Sequence, residues 1–426
     1  MDGSTGAVRP RQQSQPAPAP APEPEEIDER GPADGVVRPW HTPMSGRDPL
    51  EEHRASTPLE LLFDLCFVVA VAQAGTALHH DLAEGQIGHG LVSYLIVFFT
   101  IWWPWVNFTW FASAYDTDDV LYRLLTFVQI AGVLVVAAGV PRVFADLDFS
   151  IGVIGYVIMR AALVGQWLRV AREDPLGRPA ALRFATGIGL VQLLWVVRLA
   201  VAGPVGLVLI FVFGALELLI PVWAERAGRQ TPWNPEHIAE RYGLFTIIVL
   251  GECVLAATTA VQAALAASGV SAALLAVAVG GLVLVFAMWW AYFKVPAAIG
   301  HHLALRWQVA WGYGHYVIFA AIAALGAGLQ VAGDAVTDPR RLPSVTAALT
   351  VAIPVAVYLI AVGLLHRRGN GWSSLAPASV TSLLVIAAAV AAGFVGVPIA
   401  VLAMSILASG TVAVNVILFQ RRAAAA

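Results

Sequence analysis

Charge is what this 426-residue chain has least of. Asp, Glu, Lys and Arg together make up 12% of it, about half of the ~25% usual in a soluble domain. Lysine is almost missing, with Lys294 the only one, and so is cysteine, with Cys66 and Cys253 alone. Two thiols set apart in apolar runs build no disulfide framework and do not define a redox compartment. The net charge is −3, and no basic segment stands outside the apolar runs, which excludes nucleic acid as a partner. Phosphate-cradling glycine loops, nucleophile elbows and ordered sets of metal ligands are also missing. No cofactor or metal is therefore expected.

What is there is apolar. Hydrophobic residues are 58% of the chain and the mean hydropathy is +0.74. Successive runs reach the roughly 20 residues that cross a hydrocarbon core as a helix. The expected fold is an all-α polytopic membrane protein of about twelve transmembrane helices. The pattern places them over 58–78, 90–110, 121–140, 149–169, 181–202, 204–223, 240–265, 271–293, 305–331, 345–365, 378–395 and 398–419. The division between the last two, at Gly396–Val397, has the weakest signal. Arginines crowd one set of loops, while Arg142, Arg198, Arg340 and Arg341 are nearly all that fall on the other side. By the positive-inside rule both termini are cytoplasmic and the chain is a multi-pass protein of the cell membrane.

Residues 1–56 differ from the rest. The stretch PAPAPAPEPEE at 16–26 is proline-rich, then acidic, and cannot build a core. It lacks the apolar centre of a cleaved signal peptide, and 1–56 reads as a disordered cytoplasmic tail. Two membrane halves are expected beyond it, 57–224 and 225–420, with a short cytoplasmic tail at 421–426. Two pairs of segments support that division. LLFDLCFVVAVAQ at 61–73 is similar to GLFTIIVLGEC at 243–253, and FFTIWWPWVNF at 98–108 is similar to VFAMWWAYF at 285–293. Helices one and two thus resemble seven and eight in order and spacing. An offset of six helices keeps the same orientation, giving two parallel six-helix repeats, a plan used by secondary transporters.

At these same residues the chain resembles the bacterial low temperature requirement A family. The segments concerned are TPLELLFDLCFVVAVAQ at 57–73, WWPWVNFTW at 102–110 leading into YDTDDVLYR at 115–123, and RAALVGQWLRVAR at 160–172. WNPEHIAERYGLFTIIVLGE at 233–252, the aromatic stretch 289–293 and YGHY at 313–316 complete the set. The resemblance implies a membrane topology and a link to growth in the cold. It implies no reaction, cofactor or substrate, so the chemistry must come from the residues.

The residues of interest are the deep charges, because a charge at the bilayer centre costs about 2.5–3.5 kcal/mol on insertion scales. Glu60 and Asp64 lie four apart and share a helix face. Thr57-Pro58-Leu59-Glu60 spells a capping box, so a reciprocal cap accounts for Glu60. Asp64 sits a turn deeper, roughly 9 Å past Pro58, where no cap needs it. Glu252 follows Arg241 by roughly 16 Å of helix, near the midplane. Burial disfavours its anion, which suits binding a proton or cation; a permanently protonated, hydrogen-bonded Glu is the alternative. Arg160 and Glu217 are also mid-span. Arg160 is the expected counter-ion of Asp64 or Glu252, so one deep Arg faces three deep acids. That imbalance points to a proton or a cation, against a static hydrogen-bonded network.

Shallower groups offer gate or cytoplasmic contacts. Glu240 and Arg241 are expected to open the seventh helix, after Asn234-Pro235 as a cap, and to make an interfacial salt bridge. Asp116, Asp118, Asp119 and Arg123 start the third, where acids suit the helix N-terminus and Asp119–Arg123 is a favourable four-residue pair. Trp102, Trp103, Trp289 and Trp290 fit either an interfacial belt or the lining of an aromatic pocket. His315 fits a proton relay or a hydrogen-bonded structural role. His79, His80, Asp81 and His89 are expected in a solvated outer loop. Together these features point to a proton- or cation-coupled secondary transporter with its site between helices one and seven, and a small molecule or ion as substrate. A membrane-embedded lipid-modifying enzyme and a non-catalytic scaffold in cold adaptation are the lesser readings. Convergence of Asp64, Glu252 and Arg160 on one solvent-reaching cavity would favour a transport site, and separate helix contacts would favour a purely structural role for them.

Overall fold

The computed structural model describes residues 2–3, 39–52, 54–201, 203–294, 303–370 and 375–423. The proline-rich stretch 16–26 lies outside them. Residues 1–38 and 39–426 form separate units, and the helices all belong to the second. Among the described residues there are twelve helices and no strand. In chain order they are α1 (Pro58–Ala83), α2 (Ile87–Tyr115), α3 (Val120–Asp146), α4 (Ser150–Glu173), α5 (Arg178–Arg198) and α6 (Gly203–Ala224), followed by α7 (Pro235–Ser268), α8 (Ala272–Phe293), α9 (Leu305–Thr337), α10 (Ser344–Asn370), α11 (Leu375–Val395) and α12 (Val397–Ala423). All twelve are long and apolar enough to cross a membrane.

Local chemistry sets the ends. Thr57 accepts from the Glu60 amide and Glu60 reaches back to Thr57 N at 2.8 Å, a complete capping box with Pro58 in the first turn. Asn234 caps α7 by accepting from His237 N at 3.0 Å, ahead of Pro235. Asp119 caps α3 through Tyr122 N at 2.8 Å, and Ser271 caps α8 through Leu274 N at 3.1 Å. The α11–α12 break is a single residue, Gly396, at φ +84°. That left-handed backbone is open to glycine at little cost, so one residue suffices to end one helix and start the next.

Several helices run longer than their apolar cores. α7 begins at Pro235, so Glu240 and Arg241 lie in its second turn and do not open it. α1 runs on to Ala83, which takes His79, His80 and Asp81 into the helix instead of a loop. His89 falls in α2 and pairs with Asp81 at 2.9 Å, while His79 pairs with Asp334 at 2.9 Å. No group of three or more potential metal ligands forms among the described residues.

α2 and α9 are the most enclosed helices. Tyrosines sew them together: Tyr94 donates to the Ala320 carbonyl at 2.7 Å and Tyr316 to the Leu95 carbonyl at 2.7 Å. Each phenol places its ring in the core and gives its hydroxyl a partner, as burial requires. α3 and α4 meet at Gly132 and Gly155, where an added Cβ on either residue would come within 2.7 Å of the other's carbonyl oxygen. Large apolar side chains such as Leu65, Phe211, Phe286 and Leu383 cover the outside, the inverse of a soluble bundle and the surface a hydrocarbon solvent requires. Residues 39–52 and 54–56, grouped with the tail on composition, are laid against one end of the bundle. Met44 is fully buried, Arg47 N donates to the Ala114 carbonyl at 3.0 Å, and Arg54 donates to the terminal carbonyls of Ala112 and Ser113 on α2. A cation there suits the negative end of the helix dipole.

Candidate functional site

The starts of α1 and α7 are built alike. Each has a polar cap, then proline, then a functional side chain at the third helical position and another at the seventh. In α1 these are Glu60 and Asp64; in α7 they are His237 and Arg241. Positions four apart project from one face, so α1 presents two acids and α7 two bases. The faces meet. Arg241 Nη1 lies 2.8 Å from Glu60 Oε1, and Arg241 Nη2 donates to Asp64 Oδ1 at 2.5 Å. His237 Nε2 lies 3.2 Å from Glu60 Oε1. All four side chains are 0% exposed. Trp105 on α2 completes the cluster, its Nε1 donating to Asp64 Oδ1 at 2.7 Å.

Four groups with this burial carry two acidic charges and one permanent positive charge. Asp64 Oδ2, His237 Nδ1 and Arg241 Nε have no hydrogen-bond partner. A buried carboxylate oxygen left without a donor is disfavoured, and a proton on the cluster relieves the charge imbalance.

A second pair stands on the opposite side of α2. Arg160 on α4 donates to Glu217 on α6, with both side chains buried. Trp103 Nε1 donates to Glu217 Oε2 at 2.8 Å, and Tyr156 OH approaches Oε1 at 3.4 Å. Arg160 also lies over the Tyr156 ring, 5.1 Å from its centroid. Thus Trp103 and Trp105, two apart on α2, point to different carboxylates. The expectation that Arg160 neutralises Asp64 or Glu252 is corrected here: Glu217 takes Arg160, and Arg241 takes Asp64. Trp102 packs beside Tyr316, at 5.1 Å between ring centroids, and its indole nitrogen is buried without a partner.

Glu252 does not join either pair. Eleven residues at 3.6 per turn bring it back to within about 20° of the Arg241 face, three turns deeper. It is partly exposed, and among the described residues it makes no hydrogen bond or ion pair. Asp64, Arg160 and Glu252 therefore do not share one hydrogen-bonded site.

The remaining candidates divide in the same way. Asp119 pairs with Arg169 at 2.5 Å and accepts from Thr42 N at 2.7 Å. Burial works against its ionised form, but these bonds hold its carboxyl below the usual range. Arg123 pairs with Asp118 at 2.7 Å, which corrects the expected Asp119–Arg123 pair: Asp119 is turned inward by its capping role. Asp116 is buried near Arg47 and Arg54; burial and then the nearby Glu60 push its carboxyl up to about 6. Glu240 accepts from Ser56 N at 3.1 Å. Trp289 and Trp290 are 45% and 54% exposed, on the outside of the bundle, whereas Trp102 and Trp103 are buried in it. His315 Nδ1 lies 2.8 Å from the Trp311 carbonyl and Nε2 2.9 Å from Tyr292 OH. A carbonyl only accepts, so Nδ1 carries a proton, and with Nε2 facing the tyrosine hydroxyl both ring nitrogens have a partner. His237 and Trp105 are the members that sequence reasoning missed. The available signal was the matching cap-proline layout of α1 and α7, with complementary charges four apart.

Twelve apolar helices around buried Arg–carboxylate pairs define a polytopic membrane protein, in which ionisable groups face the bundle interior and pair with one another. Residues 55–418 match the family model of the bacterial low temperature requirement A protein (LtrA). The chain belongs to that family. Over 231 residues it is 26% identical to Uncharacterized protein RA0937 of Rhizobium meliloti (strain 1021), covering 53% of this chain and 55% of that one. The chain thus spans about half the length of this curated relative.

Proposed function

We propose that the protein is a proton- or cation-coupled secondary carrier of the cell membrane, with both termini cytoplasmic and its coupling site in the Glu60–Asp64–His237–Arg241 cluster. The observation that supports this reading is the sharing of one guanidinium by two fully buried carboxylates, with an imidazole at hydrogen-bonding distance. Each buried ion costs several kcal/mol of desolvation, so the closed cluster favours a net charge of zero. One proton, on His237 or on a carboxyl, achieves that. Opening α1 from α7 wets the cluster, removes the penalty and releases the proton. Glu252, on the Arg241 face of α7, is the next acceptor deeper in the membrane.

The arrangement also supports two parallel repeats. Glu60–His237 and Asp64–Arg241 are both separated by 177 residues, so matching positions of α1 and α7 touch, as they do beside a pseudo-twofold axis. This register follows the caps, Thr57 of α1 and Asn234 of α7. The packing order α1–α3–α4–α5–α6 is echoed by α7–α9–α10–α11–α12. Rocking of one half on the other about such an axis is a known route to alternating access, and the charged seam lies where that motion would open.

The test is proton flux into liposomes carrying a pH-sensitive dye, with wild type, Glu60→Gln, Asp64→Asn and Glu252→Gln. The reading expects flux above protein-free liposomes in wild type and its loss in the first two variants. Equal flux in wild type, Glu60→Gln and Asp64→Asn would sink it.

A further inference from the structure

A separate cavity opens beside the charge cluster, at the same end of the bundle. Trp110, Phe111, Trp167, Phe184, Trp233 and Tyr313 wall it. They come from the ends of α2 and α4, the starts of α5 and α9, and the α6–α7 connection. Its free volume is about 70 Å³, several times that of one water-sized sphere. Two aromatic pairs shape it: Trp167 stacks on Phe184 at 4.2 Å, and Trp110 meets Trp233 at 4.8 Å.

Its polar edge is rich in acceptors. Glu225 lines the cavity and is held from one side by Thr231, whose hydroxyl and amide donate at 2.6 and 3.0 Å. No basic side chain pairs with it among the described residues, and no Lys, Arg or His lines the cavity. Arg229, four residues on, is turned to Asp174 at 2.7 Å. The amides of Asn107 and Gln308 use their NH2 groups on the carbonyls of Trp103 and Leu303, which leaves their oxygens for a ligand. Burial raises the Glu225 carboxyl pKa, with only the Thr231 bonds opposing it.

We propose that this cavity binds an organic ammonium group, with Glu225 as counter-ion and the indole faces as the cage. Aromatic faces are the negative ends of their quadrupoles and attract a cation within about 6 Å of the ring. A metal ion is a poor fit, because it takes a shell of six or more oxygens with several carboxylates, and Glu225 is the one carboxylate among otherwise largely aromatic and apolar lining residues. An anion meets a carboxylate and acceptor oxygens. A neutral apolar group would gain the walls and leave Glu225 without a counter-ion. The ammonium group is the chemistry that satisfies both. It arrives either on a free amine or on a lipid headgroup. The site lies across α2 from the Glu60–Asp64 cluster and does not depend on the carrier reading.

The test uses the purified full-length protein in nanodiscs and saturation binding of radiolabelled choline, with unlabelled choline and its neutral carbon isostere, 3,3-dimethyl-1-butanol, as competitors. In phosphatidylglycerol nanodiscs the proposal expects saturable binding, at least about tenfold weaker displacement by the neutral isostere, and at least about tenfold weaker binding to Glu225→Gln. Reduced binding of free choline in phosphatidylcholine nanodiscs would assign the site to a lipid headgroup; equal binding would assign it to a free amine. Absence of saturable binding in phosphatidylglycerol, or equal displacement by choline and the isostere in wild type, overturns the proposal. So does unchanged affinity in Glu225→Gln.

Discussion

Arg241 is the side chain on which the charge cluster depends most, and its removal has a calculable consequence. Arg241→Met keeps an unbranched, apolar stem and deletes the guanidinium that touches Glu60 at 2.8 Å and Asp64 at 2.5 Å. Two buried carboxylates then share only Trp105 Nε1, the Thr57 cap and His237. Removing one partner of a buried ion pair costs about 3–5 kcal/mol, and here two acids lose the same partner. Asp64→Leu is milder, because Arg241 retains Glu60, although Trp105 Nε1 loses its acceptor. The double variant leaves Glu60 beside His237 and no unpaired Asp. It should therefore be more stable than the sum of the single costs predicts, by a coupling of about 1–3 kcal/mol, within the range for residues in one network. The assay is reversible unfolding in mixed micelles, followed by tryptophan fluorescence, for the four corners of the cycle. Coupling below about 0.5 kcal/mol, the range of independent sites, would refute the pairing of Asp64 with Arg241.

Three further outcomes follow from other parts of the molecule. Asp116, pushed up to about 6, holds its proton more tightly in the folded state than in the unfolded chain. Its contribution is present below its unfolded pKa and lost as the pH rises to about 6, by up to about 3 kcal/mol at 1.36 kcal/mol per unit; thermal unfolding of wild type should weaken relative to Asp116→Asn between pH 4 and pH 7. Glu217→Gln leaves Arg160 buried without its carboxylate and should destabilise by about 3–5 kcal/mol, whereas Trp103→Phe removes one hydrogen bond to a charge and should cost about 1.5–3 kcal/mol; equal effects in chemical unfolding would contradict the arrangement. Glu252→Leu removes an unpartnered acid from bilayer depth and should improve membrane insertion by up to about 3 kcal/mol; poorer insertion in a translocon assay would show that Glu252 has a partner after all.

Much of the fold was legible in the sequence. Apolar run length gave the helices, and Thr57-Pro58 with Glu60 gave the start of α1 to the residue. The α7 start was misplaced because Glu240 and Arg241 look like the edge of an apolar run. Asn234-Pro235, already read as the cap, marks the true start, and the His237 and Arg241 face of the first two turns is buried against α1 while Glu236 and Glu240 stay outside. The deep acids were also legible, since charges are rare enough in this chain for each to stand out. Their partners were not, because hydropathy gives depth and periodicity gives a face, while pairing depends on which helix lies opposite. Arg160 and Asp64 are both deep and of opposite charge, yet α2 stands between them and hands each to a different partner through Trp103 and Trp105. The outward placement of Trp289 and Trp290 was undecided for the same reason: an aromatic pair reads alike in a belt and in a pocket.

The central claim is that the Glu60–Asp64–His237–Arg241 cluster gains and loses a proton. Infrared difference spectra between pH 5 and pH 8, taken on the purified protein in lipid, measure that proton directly through carboxylic and imidazole bands. The account predicts a titrating band in wild type that is lost or shifted in Asp64→Asn, Glu60→Gln or His237→Gln, with the secondary-structure bands unchanged. Difference spectra of all three variants that superimpose on wild type would contradict it.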